Sequence, residues 1–122
     1  RVSNEVPTKI FAITDEDKAI GSIGIFPDQD IHRKNGAIAY WVAEPYWGKG
    51  IASHAIESIV EYGFGELGLT RIYAKPFGSN PRSHRALEKA GFHLEAILPR
   101  AVFKSGKFVD ERIYGIFREE RR

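Results

Sequence analysis

The chain has 122 residues, 43% of them hydrophobic and 28% charged, and a formal net charge of +2. That length supports one domain with its own core, and so small a charge argues against nucleic acid as the main partner. With no cysteine, disulfides and thiolate zinc sites are excluded, and no apolar run reaches the length of a membrane span.

No signal-peptide pattern opens the chain. A reducing compartment, the cytoplasm, is therefore expected. The chain holds no methionine and begins Arg1-Val2-Ser3, so a trimmed or partial chain is also expected.

Residues 9–13 alternate weakly and predict a strand. Asp15-Glu16-Asp17-Lys18 predicts a polar turn, and residues 20–26 a second strand with Ile23 and Ile25 on one face. Gly21 and Gly24 thin that strand, as where something packs closely. Residues 27–35 form a charged loop, and residues 37–43 a third strand, apolar on both faces and so central. Residues 49–67 carry helical spacing in Ile51, Ala55, Ile56, Ile59, Val60, Gly63, Phe64 and Leu67, with Gly68 as the stop. Residues 71–74 predict a short strand. Asn80-Pro81 predicts a helix start, with Asn as N-cap and Pro at the first position, and Gly91 closes that helix. Residues 92–103 and 107–117 predict two strands around a Ser105-Gly106 hairpin turn. The order β-β-β-α-β-α-β-β describes an α/β layered domain, a mixed sheet with packed helices, over residues 1–122.

Tyr46-Trp47-Gly48-Lys49-Gly50-Ile51-Ala52 joins the third strand to the long helix. Glycines there let backbone approach a ligand, and the free N–H groups of a helix start suit a phosphate. A P-loop needs glycine at position 43 and Ser or Thr after the lysine; alanine and Gly50 stand there. A dinucleotide fingerprint needs Gly or Ala where Ser53 stands, and an acid after the next strand, which Arg71-Ile72-Tyr73-Ala74-Lys75 does not supply.

Trp47-Gly48-Lys49-Gly50-Ile51-Ala52 resembles the pyrophosphate loop of the GNAT acyltransferases, Gln/Arg-x-x-Gly-x-Gly/Ala, and departs from it at Trp47. The lead-in from Tyr40, then Asn80-Pro81-Arg82-Ser83, Leu87-Glu88-Lys89-Ala90-Gly91-Phe92 and the hairpin from Phe103 to Asp110 are similar to the branch holding the ribosomal-protein N-terminal acetyltransferases. The resemblance covers residues 20–117. It implies a mostly antiparallel sheet with a splayed central parallel pair, acetyl-CoA as cosubstrate, and a primary amine as acceptor. That acceptor is a protein N-terminal α-amine or a small molecule. It further implies an N-terminal strand and helices before residue 9, allows a homodimer, and calls for neither nucleic acid nor membrane as partner.

By that resemblance the cofactor-binding set is Trp41, Val42, Trp47, Gly48, Lys49, Gly50, Ile51, Ala52, Asn80, Ser83 and Lys89. Each residue also has a plain structural reading. The glycines can serve chain packing, Lys49 can be solvated, and Tyr40 and Trp41 can be core rings. Arg82, Arg85 and Lys89 can be a solvated basic face or can meet the 3′-phosphate of CoA. Asn80 can cap the helix, touch the ligand, or both. Leu87 stands where many relatives place a proton-donating tyrosine; the resembled branch implies Ser83 instead as the acid for the leaving thiolate, and the plain reading of Ser83 is a first-turn serine serving the helix start. Relatives also carry a strand glutamate where this chain has Ala37. Glu44, Glu95 or a water on Asn80 remain as base, and Ser83, Asn80 and Glu95 form the expected catalytic set. His32, His54, His84 and His93 lack a metal spacing, so no metal site is expected. Asp110 reads as structural. The competing readings are an acetyl-CoA-dependent N-acetyltransferase, a non-catalytic CoA-binding module, and a generic nucleotide binder.

Overall fold

Glu16 and Asp17 both hold positive φ, 47° and 71°, and turn the chain back between β1 (Lys9–Asp15) and β2 (Lys18–Pro27). The computed structural model describes residues 9–76 and 81–120. A 3₁₀ turn, Asp30–His32, interrupts the expected loop before β3 (Asn35–Val42). There follow α1 (Ile51–Gly65), β4 (Arg71–Ala74), α2 (Pro81–Lys89), β5 (His93–Lys104) and β6 (Lys107–Phe117).

The strands form one sheet in the order β1-β2-β3-β4-β6-β5. Every neighbouring pair is antiparallel except β3 and β4. The mixed sheet and its central parallel pair agree with the sequence expectation.

Period-two alternation places Ile23 and Ile25 of β2, Ile72 and Ala74 of β4, and Tyr114 and Ile116 of β6 in the core. Helical spacing brings Ile56, Ile59, Val60 and Phe64 of α1 down onto them. The approach is close. A Cβ at Gly63 would lie 2.7 Å from Ile25 Cδ1 and 2.8 Å from Ile72 Cδ1.

Two helix ends differ from the pattern in the sequence. α1 starts at Ile51, not Lys49, because Gly48 and Gly50 hold φ of 76° and 78°, outside the right-handed helical region. It stops at Gly65, with Glu66 as C-cap. Leu69 must return to the core, where it is 0% exposed, so the chain leaves the helix before Leu67. Gly68 turns it at φ 67°, two residues beyond the cap. The Asn80 cap expectation falls on a residue outside the described ones. At the other end of α2, Gly91 (φ 99°) closes the helix as expected, and Phe92 N–H bonds Leu87 C=O at 3.0 Å.

Ser105 and Gly106, φ 52° and 77°, make the tight turn of the β5–β6 hairpin. Asp110 Oδ1 accepts the Arg100 N–H at 3.1 Å where the register shifts between Leu98 and Val102, a structural role. Among the described residues no helix is long and apolar enough to cross a membrane.

The Tyr73 hydroxyl donates to the Asp28 carboxylate, 3.0 Å from Oδ1 and 2.9 Å from Oδ2, tying β4 to the chain after β2. Burial first, and the Asp28 bond second, push its pKa up to about 12. The folded phenol stays neutral where the unfolded one, at 10.0, ionises. Its contribution is therefore whole below the unfolded value and is lost as pH rises toward the folded one. Thermal melts across that alkaline range should fall less steeply for Tyr73→Phe than for wild type. In urea unfolding, Ile72→Ala should cost about 2–5 kcal/mol, whereas the exposed Ile10→Ala should stay within about 0.5 kcal/mol.

Candidate functional site: a trough between β3, α1 and α2

The site begins where the parallel ladder stops. β3 and β4 pair only through Asn35↔Arg71, Gly36↔Ile72 and Ala37↔Tyr73. The direction of the backbone groups beyond that point follows from alternation. Lys34 C=O accepts the Thr70 and Arg71 N–H groups at 2.8 and 3.2 Å on the β4 side. Ala43 N–H bonds Ile20 C=O at 2.8 Å on the β2 side. Successive residues of a strand bond to opposite sides, so Tyr40 and Val42 turn their backbone groups toward the gap where β4 has ended. A cavity of about 220 Å³ opens there, lined by Ile38, Tyr40, Ala74, Pro76, Ser83 and Leu87 among others.

At the other end lies a cleft of about 410 Å³, lined by the turn into α1 and by α2. Gly48, Gly50, Ile51, Ala52 and Ser53 form one wall, and Arg82, Arg85 and Lys89 the other. The first hydrogen bond of α1 runs from His54 N–H to Gly50 C=O at 3.1 Å. The N–H groups of Ile51, Ala52 and Ser53 precede it and have no acceptor within the helix. Among the described residues no carboxylate lines this cleft, and the helix start adds partial positive charge. A Cβ at Gly50 would lie 3.7 Å from Lys89 Nζ, so that ammonium hangs over the turn. A Cβ at Gly48 would meet nothing within 4 Å, so its packing-only reading fails and its positive φ accounts for the glycine.

A middle space of about 250 Å³ joins the two, lined by Tyr40, Trp41, Val42, Trp47, Ala52, Arg82, Ser83 and Ala86. The three share lining residues and form one trough. Trp47 braces its middle. Its Nε1–H donates to Val42 C=O at 2.6 Å, and the Arg82 guanidinium lies 4.3 Å from its ring centre. One side chain thus ties the end of β3 to the start of α2.

Ser83 lies between the gap and the middle space. Its Oγ is 2.6 Å from the Tyr40 hydroxyl, which also lies 3.4 Å from Ser83 C=O. Burial raises the Tyr40 pKa, and the Ser83 bond offsets part of that rise.

The structure gathers Val42, Trp47, Gly48, Gly50, Ile51, Ala52, Ser83 and Lys89 along the trough, with Trp41 at its edge. Trp41 is 59% exposed, so its core-ring reading is corrected: it stands on the strand face opposite Ile38 and Tyr40. Lys49 lines a separate open depression with Ile13 and His54, its Nζ 5.6 Å from the Tyr46 ring centre, rather than the cleft. Asn80 lies outside the described residues.

Glu95 is the main correction. It forms an ion pair with Arg71, at the end of β4 away from the gap, and lines none of the three spaces. Its carboxylate fills the place where a Cβ at Gly115 would be. Bulging between Leu94 and Ala96 sets that position, and no sequence pattern announced the bulge. Glu44 is exposed in the 3₁₀ turn before Trp47. His84 is buried, with its ring 5.7 Å from that of Tyr114. Among the described residues no group of three or more metal-ligating side chains is gathered.

Three residues outside the expected cofactor-binding set also line the trough. Arg82 and Arg85 share a face with Lys89 at helical spacing, a signal that periodicity carries. Tyr40 keeps the inward parity of Ile38 at the strand end that faces the gap.

Residues 2–93 match the family model for the acetyltransferase (GNAT) domain. The chain belongs to that family. It is 37% identical over 102 residues to a protein named the uncharacterized N-acetyltransferase YoaA of Bacillus subtilis (strain 168), covering 84% of this chain and 57% of that protein. It is 31% identical over 106 residues to the ribosomal-protein-serine acetyltransferase of Escherichia coli (strain K12), covering 87% and 59%. Mycobacterium smegmatis RimJ, solved in complex with CoA-disulfide, superposes with a TM-score of 0.84 at 28% identity, covering 93% of this chain and 55% of that one. The chain therefore spans a little under two thirds of the curated relatives it matches.

Trp47→Phe keeps a ring under Arg82 and removes the donor to Val42 C=O. It should lower stability by about 0.5–1.5 kcal/mol, the net worth of one hydrogen bond, read from denaturant midpoints at unchanged slope.

Proposed function

We propose that this chain binds acetyl-CoA along the trough and transfers its acetyl group to a primary amine. The observation that carries the reading is the trough's polarity. One end is an anion grip without carboxylates, and the other is an open backbone edge with a hydroxyl beside it.

The residues fit such a ligand in order. The N–H groups at residues 51–53, with Arg85 and Lys89, would hold the pyrophosphate and neighbouring phosphate. Tyr40 would offer its backbone groups, and Val42 its N–H, to the amide-bearing arm in the manner of an added strand. Ser83 would stand near the sulfur. The amine nitrogen forms a bond to the acetyl carbon as the carbon–sulfur bond breaks and its electron pair goes to sulfur. Ser83 Oγ–H donates a hydrogen bond to that sulfur as charge develops. The nitrogen releases its surplus proton to water, since among the described residues no carboxylate lines the gap or the middle space and Glu95 is held by Arg71. Positioning then supplies most of the acceleration.

Protein N-terminal α-amines are the favoured acceptors, because the Escherichia coli relative is named for a ribosomal protein. A small-molecule amine is the alternative, with a polyamine as its test case because a spermidine N-acetyltransferase from Vibrio cholerae shares the fold at 26% identity and a TM-score of 0.81. The missing carboxylate supports one second reading, a CoA-binding module without transfer.

Calorimetry with acetyl-CoA, ATP and NAD separates the ligand classes, and thiol release in the presence of an N-terminal peptide or a polyamine separates enzyme from module. Binding of acetyl-CoA alone, with thiol release, is expected. Preference for ATP or NAD would defeat the reading, and tight CoA binding without release with any amine would leave the module. Lys89→Ala should raise the KM for acetyl-CoA about tenfold or more, as loss of a charged contact does. Glu95→Gln should hold kcat within about twofold, as an off-site change does.

A further inference from the structure

The Tyr40 phenol is a half-buried hydroxyl of the trough that the reading above leaves without a task. It reaches Ser83 from β3, across the gap, at 2.6 Å. We propose that Tyr40 is a positioning residue for the transfer: its hydroxyl donates to Ser83 Oγ and so holds the serine proton toward the departing sulfur. The inference rests on the acetyl-transfer reading and adds to it a residue that acts through another.

Three observations support it. First, direction. Of two hydroxyls in contact, the phenol, with an ordinary pKa of about 10, is far more acidic than an aliphatic alcohol and is the better donor. Ser83 Oγ, at 2.6 Å, is a nearer acceptor for the phenol than Ser83 C=O at 3.4 Å, and in that direction the serine's own hydrogen takes no part in the bond. Second, placement. Tyr40 and Ser83 together line both the gap and the middle space, so the bond lies where the arm of the ligand would end. Leu87, the position without a proton to give, lines the same gap. Third, rigidity. Tyr40 stands on the strand and Ser83 on the first turn of α2, so the bond fixes the helix start against β3. Burial keeps the phenol protonated, and a hydroxyl that accepts one hydrogen bond donates a stronger one.

No proton leaves Tyr40 in the cycle. The thiolate gains its proton through Ser83 and water, the proton lost by the attacking amine balances it, and the phenol returns unchanged.

The test compares wild type, Tyr40→Phe, Ser83→Ala and the double variant, following thiol release with acetyl-CoA and the best acceptor amine. Wild type is measured first, and its failure to release thiol defeats the transfer reading rather than this one. With wild type active, Tyr40→Phe should lower kcat about 2–13-fold, the range expected of one lost hydrogen bond, with the KM for acetyl-CoA held within about twofold. Ser83→Ala should lower kcat by at least as much. The double variant should fall no further than Ser83→Ala, because the tyrosine has then lost the group through which it acts. Unchanged kcat in Tyr40→Phe, a shift in KM alone, or losses that multiply in the double variant would each overturn the proposal. Should Tyr40→Phe not fold, Ser83→Ala decides: wild-type kcat there overturns it, and a fall of the stated size supports it.

Discussion

Three paired residues carry the parallel contact between β3 and β4, and the rest of the site depends on that ladder ending where it does. Had the two strands stayed side by side, the backbone of Tyr40 and Val42 would be spent within the sheet. Because they part after Ala37 and Tyr73, a polar edge is left open at the centre of the sheet rather than at its rim. Such an edge is costly unless something satisfies it. Trp47 takes the Val42 carbonyl, and the remaining groups face the trough.

The elements around the gap hold it open from both sides. α1 is drawn tightly onto the sheet at Gly63, where a side chain would collide with Ile25 and Ile72. α2 meets the sheet through Leu87 and Tyr114, both 0% exposed, and through the Tyr114 hydroxyl, which donates to Glu88 Oε2 at 3.0 Å. The two helix starts are thereby set with cations on one wall and amide hydrogens on the other. A dianion placed between them would relieve the repulsion among Arg82, Arg85 and Lys89, so ligand charge and local stability are linked.

Much of this was legible in the chain. Alternation at Ile23 and Ile25, helical spacing from Ile56 to Phe64, and the glycines at 91 and 106 located nearly every element, because each reports a local constraint. The turn at Gly48 and Gly50 was readable for the same reason. What escaped were consequences of distance. Glu95 looked available as a base because its partner, Arg71, is 24 positions away and meets it only through the sheet. Lys49 looked like part of the grip because it is next to the glycines, yet the helix start turns it to the other side. Tyr40 reads equally well as a core ring, which it partly is, and an inward aromatic carries no sign in the sequence that its hydroxyl ends against Ser83.

Gly115 and Glu95 exclude each other's neighbours. The carboxylate occupies the volume that any side chain at 115 would claim, and it does so while neutralising Arg71. A chain that gained a side chain at 115 would have to move Glu95 aside and leave a guanidinium without its counter-charge at the foot of β4. The two positions are therefore coupled in one direction, from 115 to 95. A side chain at 115 has no room while Glu95 keeps its place, so the foot of β4 is set by a glycine as much as by the ion pair.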